Sequence, residues 1–382
     1  MLSRNRARNH SAKAEDFSTT RIENSPVVLV DDATSTRDTT SNHVASATVS
    51  DWPLLPWPRG PLSASVIAAL QRQPGTLGVT PPVSEIDALN DDDFALALYL
   101  CYELHYRAGT DAGWEWDLDL LKFRAELERV FEDRLRDEVL GLRSRLPVDV
   151  ISVLEELITT PSGPSLSTFL LESGTLDQLR EFCIHRSAYQ LKEADPHTFG
   201  IPRLTGEAKA AMVEIQYEEY GSGDASSMHS TLFGNTMNAL GLNSSYGFYV
   251  GVLPGTTLWT VNLVSMFALH RRWRAALVGH LAVFEMTSVE PMGRYSNALA
   301  RFGIGLEGRR FYDVHVTADE RHALIARDKM VAGLIRAEPE LSADLLFGAA
   351  AVLMLEQRFA SHLLDAWANN RSSLLEWKPD DS

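Results

Sequence analysis

The chain has 382 residues, of which 45% are hydrophobic and 23% are charged, as in an ordinary globular protein with a sizeable core. Its net charge of -16 disfavours a nucleic-acid partner, because phosphate would be repelled. Two cysteines, Cys101 and Cys183, cannot form a disulfide framework, so we expect reduced thiols and a cytoplasmic location. No secretory signal is visible, and the apolar stretch 255–273 is too polar for a membrane span.

The first part of the chain lacks the pattern of a folded segment. Residues 1–60 are rich in Ser, Thr, Asp and Asn and show no periodicity, so they cannot bury enough surface to fold alone. We expect a disordered or extended tail, in which the Trp- and Pro-containing stretch 51–61 docks on the body as an extended segment.

From about residue 85 the sequence predicts a succession of helices. Apolar residues recur at helical spacing, as at Leu120, Phe123 and Leu127, and Thr175 with Gln178 has the spacing of a capping box. The predicted helices cover 91–109, 116–142, 174–195, 205–221, 224–242, 255–287, 313–336 and 339–367. Since no alternating strand pattern accompanies them, the predicted fold class is all-α. Accessory helices over 85–150 would precede a multi-helix bundle over 151–375.

Three potential metal ligands lie in one short stretch, DVHVTADERH. His315, Asp319 and His322 follow the spacing i, i+4, i+7, which places them on one face of a helix. A metal site would explain this pattern. A solvated helix face is the alternative interpretation.

Other acidic and imidazole side chains continue the apolar stripes of their helices. Glu285 follows the apolar residues Leu281 and Ala282 at i-4 and i-3. Glu219 continues the apolar stripe of Ala208, Ala211, Met212 and Ile215, eleven residues after Ala208, and Glu193 extends the stripe of the predicted helix 174–195. His229 lies beside the apolar face of the segment 224–242, ten residues after Glu219. A carboxylate at the inner end of an apolar stripe is costly unless it is paired or bound to metal. Glu218 lies about 100° from this stripe and is not predicted to point inward.

Together these positions make one candidate ligand set of three imidazoles and four carboxylates. Its formal charge of four negatives is balanced by two divalent cations, and a nitrogen and oxygen set without thiolate suits iron or manganese. Facing helices that supply carboxylates are how di-iron sites are built in bundles. The predicted ligands are Glu193, Glu219, His229, Glu285, His315, Asp319 and His322.

This pattern resembles the haem-oxygenase-like di-iron oxidases and oxygenases. In chain order, the candidate ligands are a helix-borne Glu, then Glu-x9-His, a distant Glu and His-x3-Asp-x2-His. The bacterial iron-containing redox enzymes of that group also have stretches similar to CYELHYR, EIQYEEYG, GHLAVFEMTS and DVHVTADERH. The resemblance covers roughly residues 90–370. It implies a haem-oxygenase-like helical bundle without haem, and two Fe(II) ions, or manganese, held by six of the residues above. Glu193 matches an extra carboxylate of the N-oxygenating members.

The resemblance implies a non-haem di-iron oxygenase that uses O2 and an external electron donor. The expected reaction is N-oxygenation of a small molecule that bears an amine or a guanidine. A di-iron oxidase that desaturates or cleaves a C–C bond in an amino or fatty acid is the alternative. A metal-free helical binding protein, a thiaminase-like hydrolase and an iron store are further alternatives, and a homodimer is compatible with the sequence.

Simpler interpretations remain for single residues. Glu219 could form a buried ion pair with Arg186, Glu285 could pair locally, and His229 could be a hydrogen-bonded core histidine. Glu193 precedes Asp-Pro at a predicted helix end, where an exposed acid is common. Cys183 is interpreted as a core residue, since a nucleophilic thiol would need a base partner.

Overall fold

The computed structural model describes residues 55–139, 149–160 and 163–376, and within these ranges every regular element is a helix. The predicted all-α fold class is confirmed. Most of the predicted N-terminal tail, residues 1–54, lies outside the described residues. The division between accessory helices and bundle stays a prediction. Among the helices of the described ranges, none is long and apolar enough to cross a membrane.

The connections between successive helices range from one residue, between α11 and α12, to 21 residues, between α1 and α2. Their bounds are α1 Pro61–Leu70, α2 Asp92–Glu103, α3 Leu118–Glu138, α4 Val150–Thr159, α5 Leu166–Glu172, α6 Leu176–Gln190, α7 Asp195–Thr198, α8 Gly206–Glu219, α9 His229–Ala239, α10 Gly255–Leu269, α11 Arg274–Thr287, α12 Val289–Arg301, α13 Leu306–Ile325, α14 Ala332–Ala337 and α15 Ser342–Ala368. A π-helical segment, Ala326–Val331, joins α13 to α14. The predicted capping box of Thr175 and Gln178 is present at the start of α6.

The predicted helix over 255–287 is wrong in one respect, because the structure divides it into α10 and α11. His270 adopts an extended backbone and its Nε2 lies 2.9 Å from Glu128 Oε1, and a 3-10 turn follows. This break places Trp273 in the core between Phe267 and Phe347, with ring centroids 5.7 and 5.4 Å away. Burial of Trp273 between these two rings stabilises the fold more than an unbroken helix over 255–287 would.

Helix α6 is also shorter than predicted and ends at Gln190. Residues 191–194 form turns, and the next helix begins at Asp195 with Pro196 in its first turn. Proline is accommodated there because the first N–H groups of a helix have no intrahelical partner. Glu193 therefore lies in a turn rather than on a helix.

Five of the helices in the described ranges were not predicted: α1, α4, α5, α7 and α12. A single residue, Ser288, separates α11 from α12, and Pro291 lies in the first turn of α12. That proline makes the segment look like a loop in the sequence, although the first turn of a helix tolerates it.

Two glycines set the distance between α11 and α15 at the centre of the bundle. A Cβ atom at Gly279 would overlap the carbonyl of Leu345, and a Cβ atom at Gly348 would overlap the carbonyl of Ala276. Such close backbone approach fixes how α11 lies against its neighbours. Because α11 also carries Glu285 in its last turn, this packing positions part of the candidate site.

We expect Gly279→Ala to lower the free energy of unfolding by about 1–3 kcal/mol, because an added methyl group would overpack this crossing. Gly293→Ala is the matched control, since Gly293 lies within helix α12 and its nearest atom would be 3.7 Å away. A helical Gly-to-Ala change without a clash stabilises by up to about 1 kcal/mol. Chemical denaturation of both variants measures the difference. If Gly279→Ala and Gly293→Ala unfold with the same free energy, the close packing of α11 against α15 described here is wrong.

Candidate metal centre

Glu219 and His229 are brought together by a tight reversal between α8 and α9. Glu219 is the last residue of α8 and His229 the first of α9. Between them Gly221, Ser222 and Gly223 have φ values of 65°, 54° and 90°, a left-handed run that glycine adopts easily. The reversal leaves Glu219 Oε2 2.7 Å from His229 Nδ1, with both side chains buried.

Helix α13 presents His315, Asp319 and His322 on one buried face. The predicted spacing therefore corresponds to an interior stripe, and the solvated-face interpretation is wrong. His315 donates its Nδ1–H to the carbonyl of Phe311 over 2.7 Å. Its Nε2 is left facing the site, 3.1 Å from His229 Nδ1.

Glu285 and Glu193 complete the constellation from two further elements. Glu285, in the last turn of α11, has its Oε2 3.2 Å from His322 Nδ1. Asp319 Oδ1 lies 3.5 Å from the same nitrogen. From the turn after α6, Glu193 Oε1 lies 3.8 Å from His315 Nε2.

The predicted ligands fall into two clusters that share one carboxylate. Within each cluster the candidate ligand atoms lie within 4.8 Å of one another. One cluster contains Glu193, Glu219, His229 and His315, and the other contains Glu219, Asp319 and His322. Glu285 adjoins the second cluster through His322. All seven predicted residues are therefore close together, with Glu219 in the position of a carboxylate that can contact two ions.

Several of these atoms are buried without any hydrogen-bond partner. They are Glu193 Oε2, Glu219 Oε2, Asp319 Oδ1 and His322 Nδ1. The short contact of Glu219 with His229 lacks hydrogen-bond geometry for this oxygen. Orphaned buried acceptors are costly, on the order of 1–3 kcal/mol each. Because all four can donate a lone pair, they fit divalent cations of the kind that oxygen and nitrogen ligands bind.

The pKa values of the site residues are shifted by burial and by the closeness of several carboxylates. Burial raises the pKa of Glu285 to about 8, and burial followed by the charge of Glu219 raises the pKa of Glu193 well above its usual value. Burial alone would also raise the pKa of Glu219, but the imidazoles, His229 first, lower it to about 2. Burial would lower the pKa of His322, yet Asp319 and Glu285 raise it to about 11. In the absence of a cation, protons must neutralise the cluster.

A cavity of about 240 Å³ adjoins the two clusters. Glu193, Glu219, Glu285, His315 and Asp319 form one wall, and most other walls are aromatic or aliphatic. An ion pair also lines it: Arg186 donates to both carboxylate oxygens of Glu356, over 2.9 and 2.6 Å. The alternative in which Arg186 pairs with Glu219 is therefore wrong. Five of the seven candidate ligands therefore line this cavity.

The contact between Glu218 and His322 was not predicted from the sequence. Its side chain is about one-third exposed, as its position off the stripe suggests, but its Oε2 lies 2.9 Å from His322 Nε2. Ser288, which also was not predicted, donates a hydrogen bond to Asp319 Oδ2. The sequence signal for Glu218 was its place beside Glu219, which points to the same neighbourhood without showing the contact.

Other buried titratable side chains lie outside the clusters. Cys183 is buried beside the Tyr312 hydroxyl, and burial raises the pKa of its thiol to about 12. This agrees with a core role. His280 is paired with His197 at 3.1 Å, and Glu103 with the buried Lys192.

Two substitutions test the predicted ligands through metal content. We expect His322→Ala to lose one of two bound Fe(II) ions, because it removes the imidazole of the second cluster. Glu193→Ala should retain both ions with about 10–100-fold weaker affinity at one of them. Anaerobic Fe(II) titration measures both effects, and Glu320→Gln, an exposed acid on the same helix, is the control. Wild-type stoichiometry and affinity in both ligand variants would contradict the assignment.

Metal should also change the dynamics of α13. In the metal-free protein Asp319 lies near Glu219 and Glu285, like charges in a poorly solvated place. We expect amide hydrogen exchange in α13 to slow when Fe(II) is added, while exchange in α10, which carries none of the ligands, stays constant. Equal protection of α13 with and without metal would count against a metal-stabilised helix.

The part of the chain that carries these residues is similar to known proteins. Residues 180–357, just under half of the chain, match the family of iron-containing redox enzymes. The matched segment contains all seven predicted ligands. The chain is also similar to a nitrosourea synthase of Streptomyces achromogenes subsp. streptozoticus, with 25% identity over 147 residues. The alignment covers 38% of this chain and 31% of that protein, so the chain spans about a third of the relative it matches.

Proposed function

We propose that this chain is a non-haem di-iron oxygenase, because residues 180–357 match the family of iron-containing redox enzymes. It would use O2 and an external electron donor to oxygenate a nitrogen atom of a small amine or guanidine. The observation that carries the proposal is the pair of ligand clusters that share Glu219 beside a cavity.

In the proposed centre the two clusters would divide the ligand set between two ions. Glu193, His229 and His315 would hold one, and Glu285, Asp319 and His322 the other, with Glu219 available to both. This set of hard oxygen and borderline nitrogen donors without thiolate suits ferrous iron, and manganese is the competitor. When bound, iron supplies O2 binding and electron transfer, which no amino-acid side chain of the site provides.

The protein's own contribution is placement and exclusion of water. Apolar and aromatic walls limit solvent around a substrate in the cavity, which strengthens the electrostatic interactions there. The Arg186–Glu356 pair gives such a molecule a polar contact on a wall that the metal ligands do not form. Glu193 and Glu285 line the same cavity and hold protons more tightly than ordinary carboxylates until a cation binds.

Support for nitrogen as the reacting atom comes from Glu193 and from the relative. Glu193 adds a carboxylate to the cluster of His229 and His315, as the resemblance to N-oxygenating members predicts. The similar protein is a nitrosourea synthase by name, and a nitrosourea carries oxidised nitrogen. Only about a third of that protein is aligned, so its own substrate is not transferred to this chain.

The test is turnover by the iron-loaded protein. We expect Fe(II)-loaded protein, supplied with reductant, isotopically labelled O2 and a set of small amines and guanidines, to place one labelled oxygen atom on a substrate nitrogen. The second oxygen atom would leave as water. Mass spectrometry identifies the product, and His322→Ala is the inactive control. Loss of hydrogen or of a carbon fragment would instead support the desaturase or C–C cleavage alternative, and a protein that binds no iron would refute the proposal.

A further inference from the structure

The histidines of α13 are oriented by different acceptors on their outer sides. His315 donates Nδ1–H to a neutral backbone carbonyl, that of Phe311, and turns Nε2 toward the cluster. His322 is fully buried and has the opposite orientation: its Nδ1 faces Glu285 and Asp319, and its Nε2 lies 2.9 Å from Glu218 Oε2. Since an ionised carboxylate can only accept, His322 donates Nε2–H to Glu218, and Nδ1 is the nitrogen that can bind a cation once the cation has displaced its proton.

Glu218 connects this buried ring to the surface. Its other oxygen, Oε1, accepts a hydrogen bond from Arg321, which also donates to Glu214 Oε1 over 2.7 Å. Arg321 is about half exposed and Glu218 about one-third exposed. The two acids are one helical turn apart on α8 and share the same arginine, but the described contacts place only Glu218 against His322.

We propose that Glu218 is a positioning residue that orients His322 through Nε2 and strengthens its Nδ1 as a metal donor. The inference rests on the proposed di-iron function and adds a residue to it. A carboxylate that accepts the outer N–H of a ligating histidine fixes its tautomer and raises its basicity more than a neutral carbonyl does. The two ions should therefore differ: the one at His322 depends on an anionic acceptor near the surface, and the one at His315 does not.

The position of Glu218 suggests that its role is not the stability of α8. It lies in the last turn of that helix, where a negative charge is unfavourable to the helix dipole. Arg321 would keep Glu214 as a partner if Glu218 were replaced. Removal of the carboxylate would leave the buried Nε2–H of His322 without this acceptor, so its effect should fall on His322 and on one metal site and not on α8.

Anaerobic titration with Co(II), followed by its ligand-field absorption, tests this inference without turnover. We expect wild-type protein to bind two ions and Glu218→Ala to bind one of them about 10–100-fold more weakly, with the other unchanged. Glu218→Gln should fall between the two, because its amide oxygen still accepts the N–H but carries no charge. Glu214→Gln is the matched control and should titrate like wild type.

The possible outcomes separate the two proposals. If Glu218→Ala and Glu218→Gln bind both ions with wild-type affinity and spectrum, the positioning role is wrong while the metal site stands. If Glu214→Gln weakens binding equally, the effect comes from the general surface charge and the inference is also overturned. If the wild-type protein binds no Co(II) or Fe(II), the proposed function itself fails. Should Glu218→Ala not fold, Glu218→Gln carries the test.

Discussion

The concentration of acidic side chains in a dry interior is the constraint on which this structure depends. Glu193, Glu219, Glu285 and Asp319 converge with three imidazoles, and several of their atoms have no hydrogen-bond partner. Burial of so many unpaired acceptors opposes folding. The bundle tolerates the arrangement because protons, or the cations for which the lone pairs are suited, can neutralise it. Metal binding at this site would therefore be coupled to the stability of the surrounding helices.

The elements around the site converge through breaks in helical structure rather than through regular helix alone. Glu219 and His229 meet because three successive left-handed residues reverse the chain, and Glu193 reaches His315 from a turn that Asp195-Pro196 follows. The other candidate ligands lie on regular helices, Glu285 on α11 and His315, Asp319 and His322 on α13. The close crossing of α11 with α15 at Gly279 holds the helix that ends near Glu285. The turns orient Glu193, Glu219 and His229 toward the clusters, and the close packing of α11 against α15 holds Glu285 in place.

These breaks also decide how much could be predicted from the sequence. The stripe of His315, Asp319 and His322 was predictable, because helical periodicity alone places the three side chains on one face. The all-α class followed from the same periodicity. The division at His270 and the turn at Glu193 were not predicted, because tertiary contacts and proline override a local pattern that still looks helical. Nor could spacing reveal the contact of Glu218 with His322, which joins two helices across more than a hundred residues.

The two ligand clusters differ in ways that matter for chemistry at the cavity. The cluster of His315 includes Glu193, and its outer support is a backbone carbonyl. The cluster of His322 is supported by the partly exposed carboxylate of Glu218. A neutral, internal support changes little with the surroundings, whereas an exposed ion pair is screened by salt and open to a docking partner. An external electron donor that approached α8 and α13 would thus meet the cluster of His322 through a single hydrogen bond. The cavity, by contrast, is lined by candidate ligands of both clusters.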